Sequence, residues 1–193
     1  MFSQHGFQSV SIRDICKQVS IKESSLYYHF TNKRAILEEL NARFAAKAGA
    51  LMRRLETAVE GPQSAEALAE EQVSQIFFEE YLLDEFCNRY LRLLNIEQSG
   101  SEEMRQLYDD WLFAQPLQFQ SKIFALLLGP GAASPEDSEY WAVKYYAPVF
   151  LFCQRYLLSG ALTAERKLLF YQKTGAHTRR FFKEMGESLW PTS

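Results

Sequence analysis

No apolar run in this sequence approaches the roughly 20 residues a membrane-spanning helix needs, and no charged-then-apolar leader opens it, so a cytoplasmic protein without membrane contact is expected. Cysteine is scarce. Cys16, Cys87 and Cys153 are odd in number, far apart and set inside helical patterns, which argues against a disulfide framework. They read as buried small hydrophobes in a reducing compartment, with a reactive thiol the rarer alternative. His5, His29 and His177 share no metal-like spacing with one another or with the cysteines. A glycine-rich phosphate loop and a nucleophile motif are also lacking, so no metal, no cofactor and no enzymatic activity are expected. Acidic pairs such as Glu70-Glu71 and Asp109-Asp110 are adjacent, point to different helix faces and read as solvated surface. Strand-like alternation and internal repeats are missing as well, leaving an all-α fold.

What is present is unevenly charged. The net charge is only −3, yet up to Leu55 nine bases face four acids, giving +5 there and −8 in the remainder. A basic head on an acidic body is the asymmetry expected when one part meets phosphate and the other does not. With 47% hydrophobic residues, the chain can bury a substantial core.

Met1 to Gly6 offers only the last turn of a first helix, closed by glycine, so further residues upstream are expected. Ser11 and Asp14 are spaced as a capping box, and Ile12, Ile15, Cys16 and Val19 then form a buried stripe at i, i+3, i+4 and i+7. Ser20 to Lys22 make a turn into a second helix that ends near Phe30, with Leu26 and Phe30 inward. Its outer side carries Ser24 and Tyr28, flanked by Ser25, Tyr27 and His29. Water does not favour an exposed tyrosine pair beside a histidine, whereas a major groove offers thymine methyls, base edges and phosphates. Packing of Tyr27 and Tyr28 on a neighbouring helix is the competing explanation. Ser11 and Lys22, near the two helix starts, are counted with the candidate DNA contacts. Lys33 is counted too, because a cation in a first helical turn opposes the macrodipole and a phosphate would explain its placement. Thr31 or Asn32 caps a long helix running to Gly61-Pro62, roughly 40 Å at 1.5 Å per residue, which reads as a mechanical link.

The run Ile21-Lys22-Glu23-Ser24-Ser25-Leu26-Tyr27-Tyr28-His29-Phe30, followed by Asn32-Lys33 and preceded by Gly6-Phe7 and Ser11-Ile12-Arg13-Asp14-Ile15, resembles the TetR family of bacterial transcriptional regulators. The resemblance covers about the first quarter of the chain. It implies a homodimeric, ligand-responsive regulator, a repressor being favoured over an activator, that binds a near-palindromic double-stranded DNA operator and is released by a small apolar or aromatic effector. It also implies phosphate contacts for Tyr27, His29 and Lys33 and groove contacts for Ser24, Ser25 and Tyr28. Val10 stands where the family often has threonine, and Ser20 where it often has glycine. A helical ligand-binding and dimerisation protein that has lost DNA binding is the alternative.

The expected architecture is a helix-turn-helix head over residues 1–45, its first helix largely missing, joined by the long helix to a helical ligand-binding and dimerisation body over 46–193. Body helices are expected at about 64–84, 85–98, 101–128, 136–159 and 163–187, divided by Gly and Pro breaks. Aromatics are dense here, and core packing is their ordinary role. Tyr81, Tyr108, Trp111 and Tyr145 are the candidate pocket lining, and Pro116 and Pro148 are expected to kink or split their helices. Leu168, Tyr171, Gly175, Thr178 and Phe182 follow a heptad-like seam, and with Val149 and Tyr156 they form the candidate dimer interface.

Overall fold

The computed structural model describes residues 1–60, 70–128 and 134–189, and every regular element among them is helical. Three short helices come first: α1 (Phe2–His5), α2 (Ile12–Gln18) and α3 (Glu23–His29). The long α4 (Lys33–Glu60) follows. The body continues with α5 (Glu70–Phe77), α6 (Glu85–Glu97), α7 (Glu102–Asp109), α8 (Gln115–Leu128), α9 (Pro135–Phe152) and α10 (Ala164–Leu189). Residues 64–69 of the first expected body helix lie outside the described residues.

Local sequence explains most helix starts. Ser11 and Asp14 close the expected capping box on α2, and Ser134 with Asp137 forms a second one on α9, where Pro135 occupies the first turn without needing its absent N–H. Asn32, rather than Thr31, caps α4 by accepting from Ala35 N at 2.9 Å. The end of α2 is a Schellman turn: Ile21 N donates to Cys16 O at 3.0 Å and Ser20 N to Lys17 O at 3.4 Å. That turn needs a left-handed residue, and Ser20 adopts φ +57° there, where glycine would be unstrained.

Three wide π-helical turns interrupt the body, at Phe78–Leu83, Asp110–Ala114 and Cys153–Leu158. The second has a readable cause. Pro116 has no N–H for Leu112 O four residues back, and Gln115 N bonds Asp110 O instead of Trp111 O. Two carbonyls are thereby freed. Tyr81 Oη donates to Trp111 O at 2.6 Å and Tyr146 Oη to Leu112 O at 3.0 Å, so the freed acceptors are met by buried hydroxyls rather than opened onto a cavity. Pro148 does not split its helix. It is absorbed inside α9, which widens only beyond Phe152.

The core runs unbroken from the linker into the body. Fully buried Phe44 of α4 has Tyr81, Tyr90 and Trp111 around its ring, with centroids 5.5, 4.8 and 5.1 Å away. One turn earlier, Asn41 Oδ1 accepts from both Tyr90 Oη at 2.8 Å and Trp111 Nε1 at 3.0 Å. Ion pairs continue the attachment along α4, from Lys47 to Asp84 at 2.6 Å and from Arg54 to Glu80 at 2.5 Å. The linker is thus welded to α6 and the π turns by apolar and polar contacts together. All three cysteines are free and buried, and burial pushes the Cys87 and Cys153 thiols up to about 12, well away from reactive thiolates.

Candidate nucleic-acid interface

The exposed face of α3 has the composition and geometry expected of a groove reader. Leu26 anchors the helix inward, while Ser24, Ser25, Tyr27 and His29 stay exposed. Tyr28 is 85% exposed, far beyond what a tyrosine packed on a neighbouring helix would show, and Tyr27 is 51% exposed. Packing on a neighbouring helix is therefore excluded for Tyr28 among the described residues, while Tyr27 is about half covered. The Tyr28 and His29 rings meet edge to face at 5.0 Å, which restrains two groups that otherwise touch little. Lys22, exposed at the start of α3, makes no side-chain capping bond.

Two of the expected contacts have structural duties instead. Ser11 Oγ accepts from Asp14 N at 3.1 Å and donates to Asp14 Oδ2 at 2.6 Å, so its hydroxyl proton is already engaged in the cap. These bonds, with the Ser11 backbone N–H, hold the Asp14 carboxyl below its ordinary value of 3.8. Lys33 reaches back across the head. Its ammonium donates to Phe7 O at 2.8 Å, Val10 O at 3.0 Å and Gln8 O at 3.4 Å, and it sits 4.4 Å from the centroid of the Phe7 ring. An ammonium has three donors, and three carbonyls account for them. Lys33 thereby pins the α1–α2 turn through partners some 25 residues away in sequence, and a phosphate competes with these carbonyls for its donors. Val10, buried beneath this pin, packs instead of facing phosphate.

The head is joined to the body through the same turn. Gln8 N donates to Glu97 Oε1 at 3.3 Å, and Gly6, at φ +82°, lies so close to the Glu97 carboxylate that a Cβ there would collide with it. Sequence reading missed Glu97 because nothing local marks a glutamate at the end of α6 as buried.

Residues 1–40 match the family described as bacterial regulatory proteins, tetR family. Over these residues the head is similar to that family. The TetR-type head is 46% identical over 39 residues to the biofilm operon icaADBC HTH-type negative transcriptional regulator IcaR of Staphylococcus aureus strain Newman, a match covering 20% of this chain and 21% of that protein. It is 40% identical over 40 residues to the HTH-type transcriptional regulator UidR of Escherichia coli strain K12, covering 21% of this chain and 20% of that one. The chain thus spans about a fifth of the length of the curated relatives it matches. Everything beyond the TetR-type head is read from its own residues.

The expected aromatic pocket is not what those residues build. Tyr81 bonds Trp111 O, Trp111 Nε1 bonds Asn41, Tyr145 Oη donates to Ser74 Oγ at 2.6 Å, and Gln154 Nε2 donates to Tyr108 Oη at 2.7 Å. Each polar tip is engaged within the chain, and none of the four residues lines the groove between α1 and α6 or the cleft between α5 and α10. Tyr81 and Tyr145 are core residues and Tyr108 and Trp111 pack half-buried against the core, their tips taken up by a π turn and by neighbouring helices that lie far off in sequence.

The expected dimer seam is only half exposed. Leu168 and Tyr171 are exposed, Gly175, Tyr156 and Phe182 are half-buried, and Val149 and Thr178 lie inside the protomer's own core, so the last two are withdrawn from a surface seam. Along α10, Leu168 and Tyr171 face solvent, whereas Thr178 faces the core with Thr174 and Phe181. On α9 the exposed stripe is instead Tyr140, Val143, Ala147 and Leu151, at steps of three and four. Among the described residues no helix is long and apolar enough to cross a membrane, and no cluster of three metal-ligating groups occurs.

Proposed function

We propose that the chain is a DNA-binding transcriptional regulator of the TetR type, acting as a homodimeric repressor whose residues 1–45 bind a near-palindromic operator and whose residues 46–193 dimerise and receive a small-molecule effector. The observation that carries the reading is the α3 face, where Tyr28 projects almost fully into solvent between Ser24, Ser25, Tyr27 and His29 in a head of this family. An exposed tyrosine so placed gains from base edges and thymine methyls what it lacks in water. Tyr28, Ser24 and Ser25 take the groove, while Tyr27, His29 and Lys22 meet the flanking phosphates. Repression is in keeping with the name of the staphylococcal relative, a negative transcriptional regulator.

The dimer reading draws on the two exposed apolar stripes. Tyr140 and Leu151, each 60% exposed, stand at the ends of the α9 stripe, and Leu168 and Tyr171 begin the α10 stripe. Neighbouring helices with such surfaces suit a symmetric interface burying about 800 Å² per partner. Two heads then face major grooves about 34–36 Å apart. Effector control acts through α4, whose contacts from Asn41 to Arg54 couple head attitude to body packing. A ligand favouring one attitude shifts the population by its differential affinity and no more. Fluorescence anisotropy with DNA from the chain's own genomic neighbourhood tests the reading. Saturable binding that weakens steeply with salt, at two protein chains per site, is expected; binding to all DNA equally, or to none, would overturn it.

A further inference from the structure

A well-formed cavity lies not in the aromatic core but at the junction of head and body. It is a groove of about 1090 Å³ between α1, α6 and the connection from the last π turn into α10. Its charges run against those of the acidic body. Arg89, Arg92 and Lys167 line it, and its single lining carboxylate, Glu85, is already paired with Arg89 at 2.6 Å. Arg92 is half-buried and held rigidly, with Nη1 donating to Leu157 O at 2.9 Å and Nη2 to Gly160 O at 2.5 Å. Arg166 bonds neighbouring carbonyls of Tyr156, Arg155 and Ser159, bringing a second guanidinium close enough to disfavour the Arg92 charge, after burial itself. Neither Arg92 nor Lys167 has a carboxylate partner among the described residues. A partly buried cation without a counter-ion is unfavourable unless a mobile anion supplies one.

A second, independent feature of the same wall calls for a ligand. Asn88 lies one helical turn before Arg92 on α6 and is 1% exposed. Its Nδ2 donates to Leu82 O at 2.9 Å, which settles the orientation of the amide, and its Oδ1 is left without a partner. An unmet buried acceptor beside a fixed cation asks for a donor and an anion together. We propose that this groove binds a small hydroxylated anion, a phosphate or carboxylate whose charge meets Arg92 and Lys167 and whose neighbouring hydroxyl meets Asn88 Oδ1 once the buried amide turns toward the groove. Of the five guanidinium donors of Arg92 two go to carbonyls, leaving donors for an oxyanion.

The position of the groove gives such binding a consequence. Gln4 and His5 of α1 form the opposite wall, and the far end of α6 carries Ile96 and Glu97, which hold Gly6 and Gln8. A bound anion therefore bridges the head and the helix that carries it. This deepens the regulator reading by supplying its effector class and rests on that reading only for the effect on DNA.

The test uses the full chain without DNA, so failure of operator binding and failure of this site are told apart. Isothermal titration with glycerol 3-phosphate, citrate, inorganic phosphate and glycerol separates phosphate from carboxylate and charge from hydroxyl. At least one hydroxylated anion is expected to bind with a dissociation constant below about 1 mM, at least tenfold tighter than inorganic phosphate or glycerol. Exposed Lys167→Glu should weaken it at least tenfold, and Arg92→Gln further, while Lys173→Glu elsewhere on α10 leaves it unchanged. Hydrogen exchange at residues 3–6 should slow on binding. No binding of any probe at about 10 mM would overturn the proposal. So would equal affinity for inorganic phosphate, or equal loss in Lys167→Glu and Lys173→Glu.

Discussion

Replacing Lys33 by alanine separates a structural pin from a phosphate contact, two roles that both predict weaker DNA binding. The three carbonyls that Lys33 holds belong to the turn that carries α1 and meets Glu97, and two of them lie on buried Phe7 and Val10. Hydrogen bonds from a charged donor contribute about 1.5–3 kcal/mol each when well formed, and partial exposure reduces that, so the substitution should destabilise the head by about 2–3 kcal/mol in total. A phosphate contact, by contrast, appears in the salt dependence, each one adding about 0.9 to the slope of log affinity against log salt. The assay is operator affinity by fluorescence anisotropy at several salt concentrations, alongside hydrogen exchange of residues 7–10. Lys33→Ala should weaken binding and speed exchange in the turn while leaving the salt slope within about 0.5 of wild type. Lys22→Ala, which touches no structural partner, should instead lower the slope by about 2 per dimer with exchange unchanged. A slope change in Lys33→Ala equal to that in Lys22→Ala, with the turn still protected, would refute the reasoning.

The π turn at Asp110–Ala114 should depend on its two hydroxyls: Tyr81→Phe and Tyr146→Phe each leave a buried carbonyl unpaired and should lower the unfolding free energy by about 1–3 kcal/mol in urea titration, and no change in either would remove that account. Ser20→Gly relieves a left-handed serine and should raise stability by about 1 kcal/mol in the same assay. The cap on α2 should respond to acid. Because Ser11 holds the folded Asp14 carboxyl below 3.8, the cap is fully present above that pH and fades as pH falls through the lower folded value. Amide exchange at the start of α2 should follow this fall in wild type and lose it in Asp14→Ala.

Legibility followed the range of the interactions. The capping box of α2, the turn after it and the course of α4 were readable because their donors, acceptors and apolar residues lie within a few residues of one another, whereas the buried stripe expected on α2 holds only at Cys16, Val19 being 56% exposed. The exposed face of α3 was readable for the same reason, since Leu26 settles which side is inward. Lys33 was not, because its partners are separated from it by two helices. Tyr81 carried a correct signal, a polar tip on an apolar body, but its partner is a carbonyl released by a proline and a wide turn 30 residues away. Within the expected dimer seam, Val149 and Thr178 face the protomer's own core, which a local heptad pattern does not mark. The groove at the head-body junction left no local pattern, since Asn88, Arg92 and Lys167 meet only once α6 and α10 are packed.

Selection of binding sites from a random double-stranded DNA pool, with wild type and Tyr28→Ala in parallel, tests the central claim that α3 reads the major groove. Wild type should enrich a near-palindromic site with half-sites about one helical turn apart, and Tyr28→Ala should change the bases preferred at one position in each half-site. Enrichment of the same sequence by both proteins, or of none by either, would contradict it.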